Sequence, residues 1–144
     1  MARMKRTDLP DGHFHFTAAG AGGIDIFETD LDRLEFLHVL GIVSDRFEWR
    51  LVAYCLMGTR YHLLVDTKAA FLAPGMRWLN GVYAQGFNKR HRRRGHLFGA
   101  RYDARAIRDE THRTAAIGYI LQNPVRASMC PQADAWPWSF AAAV

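Results

Sequence analysis

Cysteine is almost missing from this chain: Cys55 and Cys130 are the two in 144 residues, far apart and with no CxxC pair. A disulfide framework and a thiolate zinc centre are therefore excluded as organising features. Cys55, inside an apolar run, reads as a small buried hydrophobe, and the pattern suits a reducing, cytoplasmic setting. Long hydrophobic runs are missing too. No stretch approaches the ~20 apolar residues that span a bilayer. The charged start Met-Ala-Arg-Met-Lys-Arg-Thr-Asp leads into no apolar segment, so neither a membrane span nor a secretory signal is expected. Gly20-Ala-Gly-Gly23 lacks the spacing of a phosphate cradle, which removes a nucleotide-binding loop. There is no internal repeat, low-complexity tract or break in composition. One domain over residues 1–144 is expected, with a polar lead-in over about 1–12. Its apolar share of 49% against 23% charged is that of an ordinary globular protein.

Acid is scarce in the second half, and that asymmetry is informative. Asp25, Glu28, Asp30, Asp32, Glu35, Asp45 and Glu48 crowd the first half. Lys89, Arg90, Arg92, Arg93 and Arg94, with His91 among them, form one dense block, followed by Arg101, Arg105, Arg108, Arg113 and Arg126. The formal net charge is +5. Such a distribution points to a polyanion, with nucleic acid the commonest partner. Cations at a helix C-terminus also favour the dipole, which accounts for part of the block but not for its density.

The hydrophobic periods place these residues on elements. His13-Phe-His-Phe-Thr17 alternates as a strand, with Phe14 and Phe16 on one face and His13, His15 and Thr17 on the other. A helix is expected from Thr29 or Asp30, burying Leu31, Leu34, Leu37, Leu40, Val43 and Phe47. The apolar run from Glu48 to Met57 reads as a central strand. It turns tightly at Gly58-Thr59 into a second strand, Arg60 to Asp66. There Arg60, His62 and Leu64 share one face and Tyr61, Leu63 and Val65 the other. A helix entered at Pro74-Gly75 buries Met76, Leu79, Val82 or Tyr83, Gly86 and Phe87, with Gly95 as its stop. Residues 96–102 and the short Arg105–Arg108 segment are expected to add a strand and loop. A last helix from about Asp109–Thr111 is expected to end at Asn123, because the residue before a proline avoids the helical region. It packs through Ala115, Ala116, Ile120 and Leu121, and the aromatic tail Trp136-Pro-Trp-Ser-Phe140 packs on the body. The order strand–helix–strand–strand–helix–strand–helix predicts an α+β, ferredoxin-like sandwich, a mostly antiparallel sheet with helices packed on one face.

Four segments, Ala53–Met57 with Tyr61–Val65, Leu79–His91, Gly95–Tyr102 and Tyr119–Ala127, resemble the IS200-like transposases. They are closest to the tyrosine transposases associated with repetitive extragenic palindromes (REP), whose tail Trp136-Pro-Trp-Ser139 is also similar to. The resemblance covers roughly residues 10–140. It implies an HUH single-strand DNA endonuclease and ligase acting at hairpin or palindromic DNA. In that family two histidines flanking a bulky residue hold a divalent metal, Mg²⁺ or Mn²⁺. A tyrosine attacks a phosphate to leave a 5′-phosphotyrosine and a free 3′-OH, and the protein is usually a homodimer. Carried over by position, His62 is the second motif histidine, Tyr61 the bulky residue, Tyr119 the nucleophile and Asn123, one turn later, a metal ligand. Tyr83 is the rival tyrosine, though its spacing fits a buried stripe. Lys89, Arg90, Arg92, Arg93, Arg94 and Arg101 would grip DNA phosphates, with Phe98 and Tyr102 stacking on unpaired bases.

The motif is degenerate at one place. Arg60 stands where the family has its first histidine, preceded by Gly58-Thr59 instead of Pro-Asn. A guanidinium has no lone pair to give a metal. Three readings follow: cleavage is lost, Arg60 pairs with the scissile phosphate, or His13 or His15 on the neighbouring strand completes the site. The alternative at the level of function is a catalytically inactive DNA-binding protein on the same fold. An RNA-binding module is a third reading, but it lacks the expected aromatic signature.

Overall fold

The computed structural model describes residues 11–99 and 101–142, so most of the expected polar lead-in lies outside the described residues. Five strands form one sheet: β1 (Gly12–Ala19), β2 (Arg50–Leu56), β3 (Arg60–Thr67), β4 (Asp103–Ala106) and β5 (Ser139–Ala141). Their order is β4-β1-β3-β2-β5, and every neighbouring pair is antiparallel. The helices are α1 (Asp30–Arg46), α2 (Leu72–Arg90) and α3 (Glu110–Arg126). This is the expected α+β sandwich. The layer expected on one face is α1 and α2, which cover Phe14, Phe16, Tyr61, Leu63 and Val65. The third helix lies across the other face, where Ala116 and Ile120 pack with Ala53, Cys55 and Leu64. No helix among the described residues is long and apolar enough to cross a membrane.

The α1/α2 layer holds the main core. Phe14, Phe16, Phe36, Tyr61, Tyr83 and Phe87 are all within 1% of full burial, each stabilising by roughly 1.5–3 kcal/mol through lost apolar surface. The indole of Trp49 seats the start of α2, donating to the Phe71 carbonyl at 3.1 Å. A Cβ on Gly75 would meet its ring at 2.4 Å, so only glycine allows this approach.

Three boundaries and one face differ from expectation. Thr29 caps α1 in a capping box with Asp32, but Leu31 and Leu34 are 54% and 55% exposed. The buried stripe is Asp32, Phe36, Val39, Leu40 and Val43. The leucine ladder was misleading because Asp32 is buried through partners that periodicity does not reveal. Helix α2 stops at Arg90, not at Gly95. Arg92 takes the left-handed conformation, φ 51°, that reverses the chain past the cap. Residues 96–99 form a loop with a single bridge, Gly20 to Phe98, and the strand begins later, at Asp103. Helix α3 runs through Pro124 to Arg126. The proline leaves the Ile120 carbonyl without its helical N–H, a loss held to one bond because the helix ends two residues later. The aromatic tail packs as expected. Trp136 Nε1 donates to the Leu56 carbonyl, and Arg33 lies 5.5–5.8 Å from the rings of Phe27, Trp136 and Trp138.

Candidate functional site

The β1–β3 register sets Thr17 opposite His62 and His15 opposite Leu64, so all four side chains share the α3 face. Direct and diagonal cross-strand neighbours then converge. His62 Nδ1 lies 3.0 Å from Thr17 Oγ1 and 3.2 Å from His15 Nε2. His62 is 2% exposed, and its Nε2 has no partner among the described residues. Burial drives the His62 imidazole down to about 3, helped by His15, Arg60 and Arg126. Burial also lowers His15 to about 4, with Asp103 opposing and Arg105 and His112 assisting. Both rings are therefore neutral at neutral pH.

The third ring comes from α3. Asp109 caps this helix by accepting from the His112 N–H at 2.8 Å, while Ala116 and Ile120 dock it on the sheet. His112, Ala116, Tyr119, Asn123 and Arg126 follow three- and four-residue steps along one side. Tyr119 lies edge-on to both imidazoles, with ring centroids 6.0 Å from His15 and 5.8 Å from His62. It remains 50% exposed. Its carbonyl accepts from Asn123 Nδ2 at 3.0 Å and from Arg126 Nη2 at 2.6 Å. Arg126 also lays its guanidinium 4.3 Å over the Tyr119 ring.

Two clefts border α3, and Tyr119 lines the first of them. One, of about 450 Å³, is lined by His15, Thr17, Asp103, Arg105, His112 and Tyr119. The other, of about 540 Å³, takes in Asp25, Thr59, Arg60, Asn123 and Arg126. Sequence reasoning reached His62, Tyr119, Asn123 and Arg60, and held His15 as an alternative. It missed the placement of Thr17, Asp103, Arg105, His112 and Arg126. The spacing of His112 and Arg126, seven residues either side of Tyr119, was a usable signal. Tyr83 is core: it is 1% exposed, its hydroxyl donates to the Ile26 carbonyl, and burial raises its pKa.

A divalent metal does not fit these residues well. His62 offers one unpartnered nitrogen, but its Nδ1 is engaged, and Arg60 offers no lone pair. Asn123 has only its Nδ2 engaged and could offer Oδ1, but it shares its cleft with two guanidinium groups that would repel a cation. Among the described residues, no three His, Cys, Asp or Glu side chains gather as a ligand set.

The basic block divides by task. Arg90 binds the fully buried Asp32 at 2.9 Å, joined by His91 at 2.9 Å and the N–H groups of Glu28 and Thr29. Burial alone would raise the Asp32 carboxyl, but these hydrogen bonds outweigh it and hold it below its ordinary range. Arg93 donates to Asn88 and to the carbonyls of Gly95 and His96. Both arginines thus tie the chain together. Lys89, Arg92 and Arg94 make no ion pair among the described residues. Arg101 lines a separate cleft of about 530 Å³ between α2 and the 95–102 loop. Phe98 and Tyr102 line it too, though Phe98 is edge-on to Tyr61 and Tyr102 edge-on to Phe16.

Residues 10–123 match the family model described as IS200-like transposase. Among solved structures, one of a REP-associated tyrosine transposase bound to a REP hairpin is similar over 96% of this chain and 82% of that one. Its TM-score is 0.78 at 18% identity. A crystal structure of a candidate transposase from Deinococcus radiodurans R1 is similar over 83% of this chain and 95% of that one, with TM-score 0.56 and 17% identity. A search of curated proteins finds no match.

Proposed function

Because the chain belongs to the IS200-like transposase family, we propose that it cleaves and rejoins single-stranded DNA at hairpins, with Tyr119 as nucleophile. The observation that carries this reading is a half-exposed tyrosine set edge-on to two neutral imidazoles, His62 buried and His15 half-buried. In the reaction the phenolic oxygen bonds to phosphorus while the bond from phosphorus to the 3′ oxygen breaks. A 5′-phosphotyrosine and a free 3′-OH result, and the phenolic proton ends on the 3′ oxygen. Rejoining is the reverse, so the linkage conserves the phosphodiester's energy. Held at about 4 and about 3, these imidazoles are neutral but weakly basic, so they suit packing and hydrogen bonding beside the phenol better than taking its proton. His15 and His62 set their rings 6.0 and 5.8 Å, centroid to centroid, from that of Tyr119. Exposure lets DNA reach the ring, while α3 docking and the contacts of Asn123 and Arg126 fix it.

The Mg²⁺ or Mn²⁺ that the resemblance implies has no complete ligand set here, and no step above needs it. Lys89, Arg92, Arg94 and Arg101 would hold phosphates outside the cleavage site. A hairpin is the substrate class favoured by likeness to a structure solved with one, and homodimerisation is carried over with the family. Sedimentation at micromolar concentration tests the dimer.

The test of the chemistry is incubation with labelled single-stranded hairpin DNA. A covalent protein–DNA adduct is expected for the unaltered chain and for Tyr83→Phe, and none for Tyr119→Phe. The second reading, an inactive DNA-binding protein, is favoured by Arg60 at the motif position. Tight hairpin binding with no adduct under any metal condition would establish it instead.

A further inference from the structure

Arg60 and Arg126 reach one cleft from different elements, the first residue of β3 and the last of α3. The β2–β3 turn holds Arg60 in place: Gly20 N–H donates to the Thr59 carbonyl, and Ile26 and Phe27 N–H donate to that of Gly58. Arg126 is held by the Tyr119 carbonyl and lies over the Tyr119 ring. Among the described residues Asp25 is the one acid lining the cleft, and the Arg60 guanidinium makes no ion pair. Two permanent cations line this one cleft, one of them stacked on the Tyr119 ring, and an anion between them would relieve their repulsion.

We propose that Arg60 and Arg126 form the seat for the phosphate that Tyr119 attacks, supplying the positive charge that a metal ion would otherwise bring. This inference rests on the tyrosine chemistry proposed above. As the phenolic oxygen bonds to phosphorus and the 3′ oxygen leaves, charge builds on the two non-bridging oxygens. Guanidinium N–H groups meet that charge with paired, charge-assisted hydrogen bonds. No redox partner is involved, and the proton balance is as given above. Arg126 has a second part, since its planar stack also orients the tyrosine. The degenerate motif is then a change of electrophile: the residue that removes a metal ligand brings its own charge.

The test is single-turnover adduct formation on labelled hairpin DNA in EDTA, with hairpin affinity measured in parallel by fluorescence anisotropy. The unaltered chain should react equally well with EDTA or Mg²⁺. Arg60→Gln and Arg126→Gln should each slow the reaction by about 100-fold, as loss of one transition-state donor does. Affinity should change by less than about threefold, because most phosphate contacts lie elsewhere. Arg126→Lys, which keeps charge but loses the stack and the fork, should recover only part of the rate. A reaction abolished by EDTA and unmoved by both glutamine variants would overturn the arginine seat and leave the tyrosine reading standing. If no adduct forms at all, the seat is read directly by titrating inorganic phosphate against the arginine Nε–H resonances. Shifts at Arg60 and Arg126, weakened about fivefold by Arg60→Gln, would support the seat without the chemistry. An unresponsive pair would sink it.

Discussion

The two sides of β3 are built from alternate residues of one strand and bury polar groups in opposite ways. On the α1/α2 side, Tyr61 donates its hydroxyl to Asn80 at 2.6 Å, and in the same layer Tyr83 and Trp49 find carbonyls. Asp32, fully buried, collects Arg90, His91 and two backbone N–H groups. On the α3 side, His62 is almost as buried, yet its Nε2 has no partner among the described residues. A satisfied buried group holds a fold together, whereas an unsatisfied one costs stability and is retained where chemistry or ligand binding uses it. Arg33 Nε and Ser44 Oγ on α1 are also buried without a partner among the described residues, so an open valence marks a candidate site only where, as at His62, other reactive rings gather round it.

The largest expected effect lies on the satisfied side. Phe36→Ala empties a fully buried site against Phe27, Tyr61 and Tyr83 and should cost about 3–5 kcal/mol by urea unfolding. Next comes Asp32→Ala, which leaves the cation of Arg90 partly buried without its carboxylate and should cost about 3 kcal/mol. By contrast His62→Asn, on the open side, should lower adduct formation severely while moving the unfolding midpoint little. A large loss of stability in His62→Asn would break the comparison, since it would make the imidazole a structural group like Asp32.

Much of this was legible from residue order. Alternation in His13–Thr17 and Arg60–Asp66 assigned both strands, and Thr29 marked the cap of α1, because these signals are local. The ferredoxin-like class followed from element order. What was not legible depended on long-range partners. Asp32 reads as a solvated acid until Arg90 and His91 arrive from 58 and 59 residues away, and its burial rotates α1 away from the leucine stripe. The dense basic block reads as one DNA grip, but Arg90 and Arg93 are spent on the fold. His15 could be named only as an alternative, since the register that brings it to His62 is set by pairing across 47 residues. Arg126 lay hidden behind Pro124, which seemed to end the helix before it.

Acid should separate the two sides by pH. The folded-state values of His15 and His62 are depressed to about 4 and about 3 from 6.5. Above pH 6.5 neither imidazole binds protons in either state, so stability there is flat with respect to them. From pH 6.5 down to about 4 the unfolded chain takes up protons that the folded chain refuses. Stability therefore falls, by at most ~1.4 kcal/mol per pH unit for each histidine. Asp32, held below 3.8, keeps its contribution through that window and loses it only as pH falls further through its folded value. Urea midpoints at pH 7, 5.5 and 4.5 should decline, and His62→Asn should flatten the decline. An unchanged slope in that variant would place the acid sensitivity elsewhere.

The smallest effect tests the same distinction one residue apart in sequence. Lys89 and Arg90 are adjacent cations at the end of α2, but one is unpaired among the described residues and the other holds Asp32. Lys89→Ala should leave stability within about 0.5 kcal/mol, as exposed substitutions do. It should weaken hairpin binding modestly and reduce the slope of log affinity against log salt by about 0.7, the value for one single-strand phosphate contact. Arg90→Ala should do the reverse, lowering the urea midpoint while changing the salt slope little in the fraction that remains folded. If both variants shift the salt slope equally and neither affects unfolding, then Arg90 serves DNA as well as the fold. Density of charge would then have been the better guide than partnering.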